Sequence, residues 1–468
     1  MKIVRLAAAL AGSLRLAGCA VPRPPAEVAA PTPPQWYAPL PHGGRLADLR
    51  QWWQQFSDPL LVELIDAAQT ASPTLASAGA RIAEARASRT RANAALLPTL
   101  DASLAASRSN TAPPAPLATV VQGGLQAGWE IDLFGGNRAA LDAASARLAG
   151  SEAGWHEARV AVAAETALGY LDLRTCERLL EVTRTDAGSR AETARLTQLS
   201  ANAGFTAPGV AAQARASAAE GASRHTQQQA RCDVDVKALV ALTGIPEPQL
   251  RSRLQATWRD PLEFTLPGVP SVPAVLLAQR PDVYRAELEV AAASADVGSA
   301  RAAQYPRLTL SGQINAGIVR TGGVSTDART WSIGPLALTL PVFDAGLRAS
   351  EVGAAQARYQ EAAALYTGRV RQAVREVEEA LVNLQATVDR NENARAAVAG
   401  YQASFVATES RYRSGLGSLI ELEDQRRVLL ASQIALVGLQ QERLASWIAL
   451  YRALGGGWQR NDSVAARP

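Results

Sequence analysis

The longest regular pattern of apolar and polar residues in this chain covers residues 348–412. Apolar or small residues recur there in steps of three and four, with a mean spacing of about 3.5 residues, which is the seam of a coiled coil. No proline occurs between Pro341 and Pro468, so nothing must interrupt a helix. At about 1.5 Å per residue, the predicted helix is about 100 Å long. It follows a strand-like segment and turns back at the glycine-containing residues 414–417. The last seam positions are Val398, Tyr401, Phe405 and Tyr412.

Four shorter segments alternate apolar and polar residues with a period of two. This pattern predicts β-strands that have one apolar and one polar face. In the fourth segment the phase slips near Pro335. The predicted strands cover residues 99–107, 125–134, 308–318 and 331–342.

The predicted elements occur twice in the same order: helix, two strands, long helix, glycine tip and return helix. Three pairs of residues mark the same places in both halves at nearly equal separations: Pro98 and Pro306, Phe134 and Phe343, Gly204 and Gly415. The chain is therefore predicted to be a tandem duplication, with repeats at 51–250 and 276–458, a connector at 251–275 and a C-terminal tail at 459–468. The predicted helices cover residues 59–69, which Asp58 caps, 74–97, 137–200, 207–242, 281–304 and 348–412, and a last return helix ends at Leu454.

The N-terminus has the features of an export signal. Residues 1–18 combine a basic start, an apolar core and small residues. Residues 16–19, Leu-Ala-Gly-Cys, resemble the lipobox of bacterial lipoprotein precursors, which implies that Cys19 is acylated. The alternative is an ordinary signal peptide that ends by chance in cysteine. Prolines throughout residues 19–50 predict a lipid-anchored, extended and semi-rigid tether.

The composition favours thin, closely packed helices over a thick core, because only 5% of the residues are aromatic. The formal net charge is +4, but Arg and Glu alternate along predicted helices, which is typical of solvated helix faces. We therefore predict no nucleic-acid partner. Outside the N-terminus no apolar run reaches about 18 residues, so no transmembrane helix is predicted.

Four amphipathic strands are too few to close a barrel. A membrane tolerates no open sheet edge, and the smallest barrels need about eight strands. Several chains must therefore share one barrel, and three chains would supply twelve strands. The predicted helices have narrow apolar seams and polar surfaces elsewhere. This pattern favours a ring of helices that contacts water on both its inner and its outer surface. The predicted fold class is an α+β membrane protein, in which a shared strand barrel is continued by a helical tube.

Four motifs resemble those of one protein family. They are Trp52-Trp53 with Phe56 and Asp58-Pro59, Arg280-Pro281-Asp282-Val283 with Ala286-Glu287, Pro-Val-Phe-Asp-Ala-Gly at 341–346 and Arg-Tyr-Arg-Ser-Gly-Leu at 411–416. Together they are similar to the TolC-like outer membrane factors, in particular the lipoprotein branch called the NodT or OprM family. The resemblance covers nearly the whole chain from Cys19 to about residue 457. It implies a homotrimer with a twelve-stranded outer-membrane β-barrel and a long periplasmic α-helical barrel.

The resemblance also implies function and partners. The implied function is the outer-membrane channel of a tripartite efflux system, a passive exit duct for small molecules. Its partners would be outer membrane lipid, a periplasmic adaptor (membrane fusion) protein and an inner-membrane pump of the resistance-nodulation-division type. An equatorial belt would form from the segments around Trp52, the connector and the C-terminus. No cofactor is implied.

Acidic residues follow the second glycine tip, at Glu421, Glu423 and Asp424. In TolC-like proteins, acidic residues at the positions of Glu421 and Asp424 face the pore and constrict it. The resemblance therefore implies a ring of carboxylates at the periplasmic entrance, which would attract cations. The alternative is that these charges only favour the start of a helix.

The two glycine tips are the implied docking surfaces for the adaptor. They comprise residues 202–209 and 413–418, with Gly204 and Phe205 in the first and Gly415, Leu416 and Ser418 in the second. Glycine permits a left-handed turn and a close approach of another backbone. The alternative is that these residues serve turn geometry alone.

Other function classes find little support. His42, His156 and His225 are isolated and suggest no catalytic triad. The glycine pairs Gly123-Gly124 and Gly322-Gly323 are predicted to lie in strand hairpin loops, where they would bind no phosphate. An alternative function is that of a lipid-anchored coiled-coil scaffold without a pore. Four strands with one apolar and one polar face argue against it, because such a scaffold would not require them. Within the channel class, the exit duct of a type I secretion system stays open beside drug and metal efflux.

The positions of two cysteines predict a disulfide. If residues 137–200 and 207–242 form an antiparallel pair around Gly204, then Cys176 and Cys232 lie at equal distances from the tip. An exported protein is in a compartment that permits disulfides, and lipid occupies Cys19. We therefore predict a Cys176–Cys232 bond. The alternative is two buried thiols that point to different faces.

Overall fold

The computed structural model describes residues 21–32, 38, 49–56, 58–110, 117–256 and 280–460. The signal peptide, Cys19 and most of the connector lie outside these residues. The described part is mostly helical and contains one four-stranded antiparallel sheet. In chain order its elements are a 3-10 helix Leu49–Phe56, α1 Pro59–Ala71, α2 Pro73–Ala94, β1 Thr99–Ser109, β2 Ala118–Ile131, α3 Gly136–Asn202, α4 Pro208–Thr243, α5 Glu247–Ala256, α6 Pro281–Ala302, β3 Arg307–Thr321, β4 Val324–Thr339, α7 Leu347–Arg413 and α8 Leu419–Ala453.

The predicted long helices and all four strands are present, but β2 and β4 each begin seven residues before the predicted start, at Ala118 and Val324. The other ends differ by a few residues. Asp58 caps α1 as predicted, since its carboxylate accepts hydrogen bonds from the amides of Leu60 and Leu61. The 3-10 helix and α5 were not predicted. In α5, Pro248 lies in the first turn, where proline is tolerated, and Leu250 and Leu254 are buried. The sequence prediction took the prolines of this region as signs of a connector, whereas Pro248 marks the start of a helix.

The sheet has the strand order β1-β2-β3-β4, so β2 and β3 join the two halves of the chain. The prediction for Gly123 and Gly124 was wrong, because both lie inside β2. A Cβ at Gly124 would be 1.9 Å from Oδ1 of Asn315 and 2.7 Å from the carbonyl oxygen of Ile314. Glycine therefore permits close packing of β2 against β3 at this point. The pair Gly322-Gly323 does form the β3–β4 turn, with positive φ at both residues.

The predicted phase slip in the fourth strand is confirmed. The register of β3 against β4 shifts between Leu310 and Gly312, opposite Pro335. Ile333 and Leu336 therefore both belong to the apolar face, although three positions separate them.

The chain forms two compact units. The described residues of the first unit lie within 21–30, 79–153 and 284–368, and they include the sheet. In this unit the described part of the tether has no regular secondary structure and lies against α6: Ser294 and Arg301 donate hydrogen bonds to the carbonyl oxygens of Pro24 and Pro22 at 2.5 and 2.6 Å. Val28 packs against a small cluster that includes Val290.

The described residues of the second unit lie within 31–78, 154–256, 280–283 and 369–460. An aromatic cluster joins the 3-10 helix to α8. Between ring centroids, Trp52 lies 5.5 Å from Trp447, and Trp53 lies 4.7 Å from Tyr451. Arg280 is buried, forms ion pairs with Asp282 and Glu376, and donates to the carbonyl oxygen of Ala453 at 2.9 Å. The guanidinium thus ties the start of α6 to α7 and to the end of α8.

No helix in the described ranges has an apolar stretch long enough to cross a bilayer.

Candidate functional site

The four-stranded sheet has one apolar and one polar face. Register places the even-numbered residues of β1 and β3 and the odd-numbered residues of β2 on the apolar face. On the polar face, Asp101, Gln126 and Gln313 are neighbours in register across β1, β2 and β3, and Ser103 is the next residue of β1 on that face. Large side chains of the apolar face are exposed: Leu100, Leu104, Val121, Leu125, Trp129, Ile314, Ile318, Trp331, Ile333, Leu336 and Leu338. In this chain alone, an extensive apolar surface therefore faces outward, which is typical of a surface that contacts lipid or a partner.

The height of this apolar band matches a membrane. On β3 it runs from Leu308 to Ile318, which is about 34 Å along a strand at about 3.4 Å per residue. A strand tilted by about 40° would span about 26 Å, close to the apolar belt of outer-membrane barrels.

The two helical hairpins, α3–α4 and α7–α8, have the same tip structure. Gly204 and Gly415 both adopt left-handed φ values, 78° and 75°. The next residues, Phe205 and Leu416, donate their amides to the carbonyl oxygens of Ser200 and Arg411, at 2.9 and 2.8 Å. Each tip is thus a Schellman turn. The side chains of Phe205 and Leu416 are 87% and 75% exposed, so each tip presents an apolar residue to the surroundings.

The structure places the three acidic residues at the start of α8 in different environments. Glu421 forms a capping box with Ser418, in which each side chain accepts a hydrogen bond from the other's backbone amide. Asp424 is 54% exposed and pairs with Arg427 at 2.9 Å. Glu421 is also exposed, with Arg411 at 3.8 Å. Both predicted entrance residues are therefore accessible, and Ser418, predicted at the docking tip, has a definite structural task.

Glu423 is the acidic residue that sequence reasoning left aside, and it lies at the centre of a buried charge network. Its carboxylate accepts hydrogen bonds from Arg190 of α3, from Arg426 of α8 and, at 2.7 Å, from Ser217 of α4. Arg190 and Arg426 are 7% and 3% exposed. We call Glu423, Arg190, Arg426 and Asp186 the buried charge network.

The network continues along α3. Arg190 also donates to both carboxylate oxygens of Asp186 at 3.0 Å, and Arg426 donates to Thr193 at 2.9 Å. Burial lowers the pKa of the Arg426 guanidinium below its ordinary value, although Glu423 acts in the opposite direction. A signal for the network exists in the sequence, because Asp186, Arg190 and Arg426 occupy seam positions where apolar residues are expected.

Cys176 and Cys232 form a disulfide between α3 and α4. Their Cα atoms are 5.5 Å apart, inside the range that a disulfide requires. Both residues are buried, and Gln228 donates to the carbonyl oxygen of Cys176 at 3.3 Å. The bond covalently closes the first hairpin.

The end of α7 is far less covered than the corresponding part of α3. No residue of 391–413 is buried, whereas Thr183, Asp186, Arg190, Thr193 and Thr197 of α3 are. The predicted seam residue Tyr401 is 41% exposed. Side chains of this end still contact α3 and α8: the hydroxyl of Tyr412 shares a hydrogen bond with that of Thr197 at 2.7 Å, and the guanidinium of Arg426 lies 5.6 Å from the ring centroid of Phe405. The end of α7 is therefore half-covered within the chain, while its apolar residues Tyr401 and Val406 stay exposed.

Within the described part of the chain, no three His, Cys, Asp or Glu side chains come together as a metal site.

Comparison with known proteins gives a consistent result. The model of the outer membrane efflux protein family matches residues 64–245 and 272–456, once in each repeat. The chain is 30% identical to the pyoverdine export outer membrane protein OpmQ of Pseudomonas aeruginosa over 98% of both chains. It is also 30% identical to the toluene efflux pump outer membrane protein TtgI of Pseudomonas putida, over 95% of this chain and 97% of TtgI. The crystal structure of the outer membrane channel CmeC of Campylobacter jejuni aligns with a TM-score of 0.81 at 26% identity, over 90% of each chain.

Proposed function

The chain belongs to the outer membrane efflux protein family, and from that premise we propose that three copies form one passive exit duct across the outer membrane. As a member of the family, the protein is an outer-membrane channel of an efflux system. In the proposed trimer, the three sheets close a twelve-stranded β-barrel, and the long helices form a helical barrel in the periplasm.

The observation that carries this proposal is the exposed apolar face of the sheet. β1 and β4 each have one neighbour within the chain, so each sheet has two open edges. Open edges are not tolerated in lipid, whereas pairing β4 of one copy with β1 of the next would remove them. The apolar face would then meet lipid, and the polar face, with Asp101, Gln126 and Gln313, would line a wet lumen.

The exposed apolar residues near the end of α7 support the same assembly. Tyr401 and Val406 are 41% and 53% exposed, and a neighbouring helix would cover them. In the proposed trimer, a helix of the neighbouring copy packs there and closes the helical barrel.

The proposed partners are a periplasmic adaptor and an inner-membrane pump of the resistance-nodulation-division type. The adaptor would dock on Phe205 and Leu416, because exposed apolar residues on rigid turns are suitable anchors for a partner. The proposed cargo is small organic molecules, since the names of relatives include pyoverdine export and toluene efflux.

The proposed entrance is a ring of Glu421 and Asp424 carboxylates from three copies. Its support is that both side chains are exposed close to the tip. The double variant Glu421→Gln, Asp424→Asn removes the charges, and Gln at 421 retains the capping box. Block of the channel by multivalent cations should weaken in this variant. Unchanged block would mean that these residues only start the helix.

The experiment that tests the duct is the conductance of the purified, full-length protein in planar bilayers. We expect single-channel steps, and cross-linking should trap a trimer. A lipid-anchored scaffold without a pore would give no conductance, and that result would overturn the proposal. Blue-native electrophoresis of the same sample verifies that the protein tested is assembled.

A further inference from the structure

The hairpin end of the apolar face carries a group of arginines. On β1 and β3, Arg108 and Arg320 occupy the first apolar-face positions beyond Ala106 and Ile318. On β4, Arg329 occupies the first such position beyond Trp331. Three of the four strands therefore end their apolar face at an arginine. All three arginines are exposed.

Register brings the three arginines into one region. Arg108 and Arg320 are both register partners of Thr119, so their Cα atoms lie about 10 Å apart across two strand spacings. Arg329 is opposite Ala316, which is about 13 Å from Arg320 along the strand direction. One carboxylate shares this face of the four strands, Asp327 opposite Ile318. The region thus has three positive charges against one negative charge.

The charge is confined to the apolar face. At the same level the polar face carries Ser107, Val120, Val319 and Thr326, none of which is charged. Arginines that served solubility or a solute in the lumen would not need this restriction. The asymmetry instead points to a ligand that reaches the outward face of the sheet.

The level of the arginines in the membrane identifies the kind of ligand. The strands continue into helices at their other end, and in the proposed duct those helices are periplasmic, so the arginines lie at the outer surface. Arg108 and Arg320 lie just beyond the apolar band of about 26 Å. Arg329 lies opposite Ala316 in the last part of that band, next to Trp331, which is placed as expected for an aromatic residue at a membrane interface. A guanidinium matches a phosphate through two parallel hydrogen bonds.

We propose that Arg108, Arg320 and Arg329 bind the phosphate groups of a phosphorylated glycolipid in the outer leaflet. The acyl chains of the lipid would lie along the apolar face below, beside Ile318 and Trp331. This inference rests on the proposed membrane-spanning barrel and adds a lipid site to it.

The test uses the full-length trimer in zwitterionic phosphatidylcholine nanodiscs, with fluorescently labelled lipid A, a bisphosphorylated glucosamine lipid, as the probe. The triple variant Arg108→Gln, Arg320→Gln, Arg329→Gln should bind lipid A about 100-fold more weakly, at about fivefold per arginine.

The matched control is Arg307→Gln. Arg307 is an exposed arginine of β3 on the opposite face, so this variant should bind lipid A as the wild type does. A triple Arg→Lys variant keeps the charge but loses the paired hydrogen bonds, so its affinity should lie between those of the wild type and the triple Gln variant.

Equal binding by the wild type and the triple Gln variant would overturn the site, as would an equal loss in Arg307→Gln. Equally tight binding of dephosphorylated lipid A would overturn the role of phosphate. Equally tight binding of phosphatidylglycerol, or of inorganic phosphate alone, would overturn the assignment to a glycolipid. Conductance separates this inference from the duct itself: a conducting triple variant with unchanged lipid binding refutes only the lipid site, whereas a wild type without conductance refutes the duct.

Discussion

The two helical hairpins of this chain have the same local structure but are held by different contacts. α3 and α7 both have 67 residues, and the return helices have 36 and 35. Both tips are Schellman turns with an exposed apolar residue. The first hairpin contains the Cys176–Cys232 disulfide, and its α3 buries polar residues against α8. The end of α7 has no buried residue at all.

This difference shows that a duplicated sequence can keep its helices and turns while its tertiary roles diverge. The first hairpin is internally linked and provides a surface on which α8 packs, through Ala194, Ala214 and Leu419. The second hairpin is joined to it by side chains alone, and the end of its α7 has no buried residue. Four experiments test this comparison.

The largest effect is expected from Glu423→Ala, which removes the centre of the buried charge network. The variant leaves Arg190 and Arg426 buried without this partner, and breaking a buried ion pair typically costs about 3–5 kcal/mol. Hydrogen exchange of the amides in residues 415–430 should become much faster. Asp424→Ala is the matched control, because its exposed pair with Arg427 contributes at most about 1 kcal/mol. If the two variants exchange alike, Glu423 does not hold α8 on α3.

The second variant removes the covalent difference between the hairpins. Cys176→Ser with Cys232→Ser opens a loop of 56 residues, and the loss of stability should be at most about 4 kcal/mol in the chain-entropy model. Exchange protection should fall in the first hairpin and stay unchanged in α7. A reductant should lower the stability of the wild type but leave that of the double variant unchanged. Alkylation that finds two free thiols in the unfolded, non-reduced wild type would contradict the bond.

The third test asks whether the two similar tips contribute alike to docking. Leu416→Asp and Phe205→Asp place a charge where an apolar anchor is proposed, and each should cost about 2 kcal/mol of adaptor binding, about 30-fold in the dissociation constant. Efflux of a fluorescent substrate should fall, while the trimer persists on a native gel. Leu416→Met preserves the apolar surface and serves as the control. Loss of the trimer in the Asp variants would mean that these residues serve the turn alone.

The smallest effects concern the N-cap residue that precedes each return helix. Ser418 caps α8 with a capping box, whereas Ala207 at the start of α4 has no side-chain cap. Ser418→Ala should lose about 1 kcal/mol, and Ala207→Ser should gain up to about 1 kcal/mol. Thermal denaturation of the trimer should shift in opposite directions. A shift of both variants in the same direction would contradict the assigned difference between the caps. Because Ser418 has this task, Leu416 is the better position for testing docking.

Much of the secondary structure follows from periodicity and punctuation. Period-two alternation located the four strands, the 3.5-residue seam located α7, and the glycines at 204 and 415 located both tips. The equal spacing of Cys176 and Cys232 from Gly204 was enough to pair them. These features are local, or follow from one antiparallel fold-back. The same local reasoning was wrong for Gly123-Gly124, because a glycine pair indicates a turn unless the packing of a neighbouring strand is known.

The sequence by itself therefore determined the repeated helix–hairpin–helix plan and the two-faced character of the strands. Only the tertiary structure decided that β2 pairs with β3 across the two halves, since a period of two does not specify the partner strand. Only the tertiary structure separated Glu423 from Glu421 and Asp424. Successive residues of a helix point about 100° apart, so three similar carboxylates meet solvent, a helix cap or Arg190 according to which face of α8 packs on α3.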